Sequence, residues 1–245
     1  MVSQVLLRRR WSIERRFYIG ITVSMLATIF LGFARSFFLR PLFPGTPAPT
    51  EPIFYVHGAA FTAWCVLLGL QPALVAVGRV DTHKKVGWFG AFLAVAMVLL
   101  GIGGALIAAR RPTGFIGVPI PPLQFLVVPV FDIALFATMV GLAIVRRRDT
   151  QSHKRLMLLA TINLLPAGIA RWPFAVMALG PAVYFALADL FIVAMAAWDL
   201  RSRRRLHPVT MWGGLAIILS QPLRLVLSGT EAWMAFARWA VGLLG

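Results

Sequence analysis

Seven long apolar runs, each closed by short polar punctuation, organise the chain at residues 17–39, 53–77, 86–108, 123–145, 156–177, 181–198 and 209–227. A helix needs about 20 predominantly apolar residues to cross a bilayer, whereas barrel strands alternate over about ten. Lipid offers no partner for backbone N–H and C=O groups, so runs of this length predict helices that satisfy their own backbone. The expected fold is all-α: one polytopic bundle of seven transmembrane helices over 17–227, preceded by a basic tail at 1–16. After the last run, EAWMAFARWAVGLL is too short to cross, yet Trp233, Phe236, Ala240 and Leu243 recur at helical spacing. That pattern predicts an interfacial helix over 231–244. No small-residue cleavage site follows the first run, which therefore reads as a retained anchor.

The polar punctuation carries orientation. Of the 24 basic residues, 17 fall in the amino-terminal tail and in the turns after the second, fourth and sixth runs; only Arg35, Arg40, Arg110, Arg111, Arg171, Arg224 and Arg238 lie elsewhere. By the positive-inside rule the amino terminus is cytoplasmic and the carboxyl terminus outside, as an odd number of spans requires. Two of the other loops, PLFPGTPAPTEP and RRPTGFIGVPIPP, are rich in proline and read as short stiff lids.

Composition agrees. Hydrophobic residues make up 60% and charged residues 13%, against roughly 25% charged in soluble domains. A net charge of +16 would suggest nucleic acid binding in a soluble chain. Here it is confined to the turns, so no nucleic acid is expected and the lipid bilayer is the partner. Twenty-one arginines to three lysines fit a GC-rich bacterial genome and hence a multi-pass protein of the bacterial cytoplasmic (inner) membrane. Cys65 is the single cysteine, which excludes an intramolecular disulfide.

Two sets of residues are candidates for chemistry. Three histidines, His83, His153 and His207, each stand between a basic turn and the start of an apolar run, at one membrane boundary. Imidazole is the most common metal ligand and the usual axial ligand of haem, so these three are candidate metal ligands, with haem or a transition metal as the cofactor. The same positions suit helix starts with rings among lipid headgroups. His57 sits near the other boundary, with Trp64 and Gln71 on the same helical face.

The second set is buried charge, costly at membrane depth and by default a functional-site candidate. Asp132 and Asp189 are the acids within spans; Arg171 and Arg224 lie in the outer halves of theirs. Either the acids pair with the arginines as bundle glue, or the four line an outward-facing cavity with His57, suited to a small anionic solute. Prolines at 129, 166, 173 and 222 free carbonyls and kink these spans. No GxSxG, phosphate-binding glycine loop or carboxylate cluster for magnesium is present.

The segments HGAAFTAWCVLLGLQPALVAVGR, HKKVGWFGA, HKRLMLLATINLLPAGIARWPF, DLFIVAMAAWDL and HPVTMWGGLAIILSQPLRL together resemble a group of uncharacterised bacterial seven-span membrane proteins. HKKVG and HKRLM also resemble the boundary motifs of predicted membrane proteins whose spans open with histidine, and more distantly di-haem cytochrome b proteins. The resemblance implies a seven-helix bundle and, through the second likeness, a haem- or metal-binding redox component. A transporter or sensor for a small anionic solute, and a non-catalytic assembly or scaffold protein that binds a membrane partner, are the alternative expectations.

Overall fold

The computed structural model describes residues 2–46, 51–116 and 118–244, with side chains from residue 13 onward. Residues 47–50 of the first proline-rich loop, Gly117 of the second, and the side chains of Arg8, Arg9 and Arg10 lie outside the described residues. The chain folds into α1 (Val2–Phe33), α2 (Pro52–Ala76), α3 (Val80–Arg110), α4 (Pro122–Phe125), α5 (Val127–Val145), α6 (Thr150–Ile162), α7 (Leu165–Ile169), α8 (Pro181–Arg203), α9 (Pro208–Ser228) and α10 (Glu231–Gly242). Among the described residues there is no strand. Among the described residues, six stretches are long and apolar enough to cross a membrane: Ile13–Phe38, Pro52–Ala76, Val80–Arg110, Pro122–Val145, Pro181–Arg203 and Pro208–Ser228. The fold is that of a multi-pass helical membrane bundle.

Local chemistry sets the helix starts. The Asp149 carboxylate accepts from the Gln151 and Ser152 N–H groups at 3.0 and 3.2 Å and so caps α6. Pro208 occupies the first turn of α9, behind a His207 ring whose Nδ1 accepts from the Val209 N–H at 3.2 Å. The Thr230 hydroxyl accepts from the Trp233 N–H at 3.2 Å and starts α10.

The fifth predicted span, residues 156–177, is corrected by the structure: it is not one helix and is absent from the six. α6 ends at Ile162, the chain turns at Asn163 and Leu164, α7 adds five residues, and a 3-10 turn at Ala175–Leu179 leads into α8. Pro166 supplies the reason, since it offers no N–H and its ring crowds the carbonyl of Ile162, four residues back. Leu159, Ala160, Thr161, Ile162, Leu165 and Ile169 are all wholly buried, which makes this broken element the centre of the bundle.

It nevertheless runs much of the bundle's length. Lys154 lies 4.2 Å from the Tyr18 ring and Arg171 lies 5.0 Å from the Phe33 ring, a separation of about 22 Å along α1 at a rise near 1.5 Å per residue. The predicted α2 face follows it from the other side: Gln71 meets His83 beside His153, Trp64 Nε1 donates to Thr161 Oγ1 at 3.2 Å, and His57 lies near Arg171.

Lipid removes the usual hydrophobic drive for helix association, leaving close packing and interhelical hydrogen bonds to hold the bundle. α1 and α7 cross at two glycines. A Cβ on Gly32 would stand 2.6 Å from the Gly168 carbonyl carbon and 2.7 Å from its Cα. One turn earlier the Thr28 carbonyl accepts from Trp172 Nε1 at 3.1 Å. The predicted terminal helix is present as α10. Ala237 packs with Ala105, Ala109 and Leu126, Ala240 is buried, and Trp233 Nε1 donates to the Leu123 carbonyl at 2.8 Å, whereas Phe236 and Leu243 are exposed.

Candidate functional site

The break between α6 and α7 gathers charge. Arg224, on α9 and only 1% exposed, donates through Nη1 to Asp132 Oδ1 of α5 at 2.6 Å and through Nη2 to Ser220 Oγ at 3.0 Å. Asn163 joins the centre from the break itself, its Oδ1 3.4 Å from Arg224 Nη2 and its Nδ2 donating to the Asp132 backbone carbonyl at 2.8 Å. Phe131 and Phe185 flank the guanidinium at 5.7 and 5.6 Å. Arg224 Nε is buried with no partner. A guanidinium can place five donors, so the centre is incomplete as a purely structural ion pair.

The other predicted charges divide around this centre. Asp189 does not meet an arginine; its carboxylate accepts from Gln221 Nε2 at 2.9 Å, across the α8–α9 contact and one helical turn from the Phe185 that flanks Arg224. Arg171 lies within electrostatic reach of His57 at the end of the bundle opposite the basic turns, bonded to the Ala167 carbonyl and set over Phe33. His57 itself packs on Phe61, centroids 5.3 Å apart. The five residues expected in one cavity thus occupy a closed centre, a neighbouring amide–acid pair and a separate histidine–arginine pair.

A second polar network, at the basic end, was not among the sequence candidates. Arg155 and Asp199 are each 1% exposed and form an ion pair at 2.5 Å. Arg155 Nη1 also donates to the Gln151 carbonyl and Oε1 at 2.9 and 2.6 Å, while Asp199 accepts from Thr210 Oγ1 at 2.6 Å and the His207 N–H at 3.1 Å. Glu14 ties α1 in through Lys154 and Gln151. Burial first, then Arg155 and Arg203, pull the His207 imidazole below its ordinary range. A neutral ring is what its Nδ1 needs in order to cap α9. Asp199 and Glu14 escaped notice because each is embedded in a basic stretch, WDLRSRRR and RRRWSIERR, and reads there as surface charge.

The three boundary histidines do not assemble into one donor set. Among the described residues no group of three His, Cys, Asp or Glu side chains is placed to hold a metal ion. His207 is committed to the α9 cap. His83 and His153 do approach, with ring centroids 6.4 Å apart and planes at 88°. That spacing keeps their nitrogens no closer than about 4 Å, whereas a tetrahedral ion with bonds near 2 Å draws two ligands to about 3.3 Å. Only a trans pair on one metal, as in a haem, approaches the observed spacing, and it requires a lone pair on each Nε2.

Gln71 withholds one of them. In the amide orientation that satisfies its surroundings, its oxygen accepts from the Gly87 N–H at 3.0 Å and its nitrogen donates to the His83 carbonyl at 3.3 Å and to His83 Nδ1 at 2.6 Å. The neutral ring must then carry its proton on Nε2. On His153, Nδ1 is 2.9 Å from the Ala143 carbonyl, which can only accept, so that ring carries its proton on Nδ1. Among the described residues the pair brings two imidazoles together and no third donor joins them. Neither protein-family models, curated proteins nor solved structures give a match to this chain.

Proposed function

We propose that this protein is a bacterial inner-membrane transporter or sensor for a small anionic solute, with Arg224 as the residue that receives the anion. In this reading the chain crosses seven times, α6 and α7 together forming the fifth passage, with the amino terminus and basic turns in the cytoplasm. The observation that carries it is a guanidinium 1% exposed at the break of a discontinuous helix, held by Asp132, Asn163 and Ser220 with its Nε left without a partner. Broken helices at membrane depth are tolerated where protein or a cavity satisfies the freed backbone, and they form binding sites in transporters.

Asp132 acts as the resident counter-ion. A proton on its carboxylate removes the charge that neutralises Arg224, and a solute carboxylate or inorganic anion takes that place; loss of the proton returns Asp132 and expels the solute. Solute and proton therefore travel together. Arg171, beside His57 at the outer end, supplies positive potential on the approach. The test is uptake by proteoliposomes under an imposed inward proton gradient, with chloride, inorganic phosphate, acetate and lactate as probes. Uptake of at least one, reduced tenfold or more in Arg224→Gln and no longer driven by the gradient in Asp132→Asn, is expected. No uptake of any probe, or equal uptake in Arg224→Gln, refutes the assignment.

A further inference from the structure

We propose that a groove between the end of α1, α2 and α3 seats one acyl chain of an anionic phospholipid, with the lipid phosphate on Arg40. The groove, about 570 Å³, is walled by Phe37, Ala59, Ala63, Val66, Leu67 and Phe89. Thr62 completes the wall and donates its hydroxyl to the Gly58 carbonyl at 2.8 Å, which spends its proton within α2. Local sequence shapes this groove. α1 runs into a π-helical turn at Ala34–Phe38, a form that is rare and frequent at functional sites. The turn lays the Phe37 ring on Gly58, where a Cβ would stand 2.8 Å from the ring Cζ. Ala59 and Ala63, one turn apart on α2, are too small to fill the space beside that ring.

Length and charge select the occupant. Tyr55, Ala59, Thr62 and Val66 follow one another at helical spacing along one face of α2. From Tyr55 to Val66 that face covers about 16 Å at a rise of about 1.5 Å per residue. One leaflet offers about 15 Å of hydrocarbon, half of a core near 30 Å, so a single acyl chain spans the groove. Positive charge stands at its mouth, at the end of the bundle opposite the basic turns. Arg40 Nη1 donates to the Tyr55 hydroxyl at 3.0 Å, and Arg35, in the π-helical turn with Phe37, is exposed with its guanidinium 5.2 Å from the Phe43 ring. Among the described residues neither arginine has a carboxylate within ion-pair distance, and Glu51 pairs with Arg111. Two such cations suit a headgroup of net negative charge, whereas a zwitterionic lipid brings its own cation to the same place.

Fluorescence quenching on the full chain in lipid nanodiscs tests this. One fluorophore goes on Phe92→Cys, exposed on α3 one turn beyond Phe89, and another, in a separate sample, on Val193→Cys, exposed on α8; both are made in a Cys65→Ala background. Each sample is titrated with phosphatidylglycerol and, separately, with phosphatidylcholine, both carrying a nitroxide near the end of one acyl chain. At Phe92 the phosphatidylglycerol probe is expected to quench at about fivefold lower concentration, the preference that one arginine near the surface supplies. At Val193 the two probes should quench alike. Arg40→Gln, and Ala59→Phe, which fills the groove, are each expected to remove the preference. Equal quenching by the two lipids at Phe92, or a preference that survives either variant, overturns the assignment. So does a Phe92 label that neither lipid reaches while the Val193 label responds to both, the result expected of a groove covered by a second copy of the chain.

Discussion

Two arginine–aspartate pairs lie buried in this bundle, and they differ in completeness. Arg155 uses Nε, Nη1 and Nη2, and its partner Asp199 accepts in addition from a threonine hydroxyl and a backbone N–H. Arg224 has an idle Nε, and among the described residues the one side chain that bonds the Asp132 carboxylate is Arg224 itself. Buried polar networks that are fully satisfied rigidify a core, while partly satisfied ones carry an unmet cost that a ligand or a rearrangement can relieve. The first pair ties α1, α6, α8 and α9 together at the basic end; the second sits at a helix break with Arg224 Nε left without a partner.

The largest effect should come from removing one aspartate at a time. Breaking a buried pair typically costs about 3–5 kcal/mol, and Asp199→Ala is expected there, since it strands Arg155, Thr210 and the His207 N–H together. Asp132→Ala should cost less by about 1 kcal/mol or more, because Arg224 keeps Ser220 and Asn163. Unfolding by denaturing detergent titrated into a mild one measures both. Equal losses would erase the distinction between the two regions.

Replacing both partners by apolar residues sharpens it. Arg224→Met with Asp132→Leu should be neutral or stabilising by about 1–4 kcal/mol, as with other buried pairs exchanged for packed side chains, and should abolish the anion response. Arg155→Met with Asp199→Leu should destabilise by about 1–3 kcal/mol, because it orphans the groups that Asp199 satisfies. A stabilised inner double variant would mean that this network does not hold the basic end together.

A smaller effect concerns pH. His207 stays neutral in the fold, its imidazole held below the ordinary value first by burial and then by Arg155 and Arg203, while the unfolded chain takes up its proton near about pH 6.5. Its contribution is complete above that pH and declines as the pH falls toward the lower folded value. Thermal midpoints should therefore drop between about pH 7.5 and 5.5. The drop should be shallower in His207→Asn, whose side chain can still cap α9. An unaltered slope would remove His207 from the account.

Sequence reading reaches the helices and stops short of the pairings. Apolar runs show the six long helices, because length and composition alone decide them. The fifth run escapes because hydropathy averages over Pro166, whose effect is steric and local. Asp132 and Arg224 were visible as ionisable residues within apolar runs, as were Asp189 and Arg171, yet nothing in the one-dimensional pattern chose which acid meets which base. The shared face of His57, Trp64 and Gln71 was legible from heptad-like spacing; its partners on α6 and after α7 were not. The Gln71–His83 bond had a signal, since the two flank the tight turn VGR, six residues before it and four after it, and a hairpin brings such positions together.

The glycine crossing at Gly32 and Gly168 bears on how the protein is made. α1 emerges from the ribosome long before α7, and α7 at five residues cannot hold itself in lipid. The early helix must wait beside the insertion machinery with a bare backbone notch that only a late segment fills. Gly32→Ala fills that notch with a methyl group too soon. We expect a chain whose separate helices still insert but whose α6–α7 element is left unseated, visible as new protease cleavage around residues 163–180 in membranes that hold wild-type levels of protein.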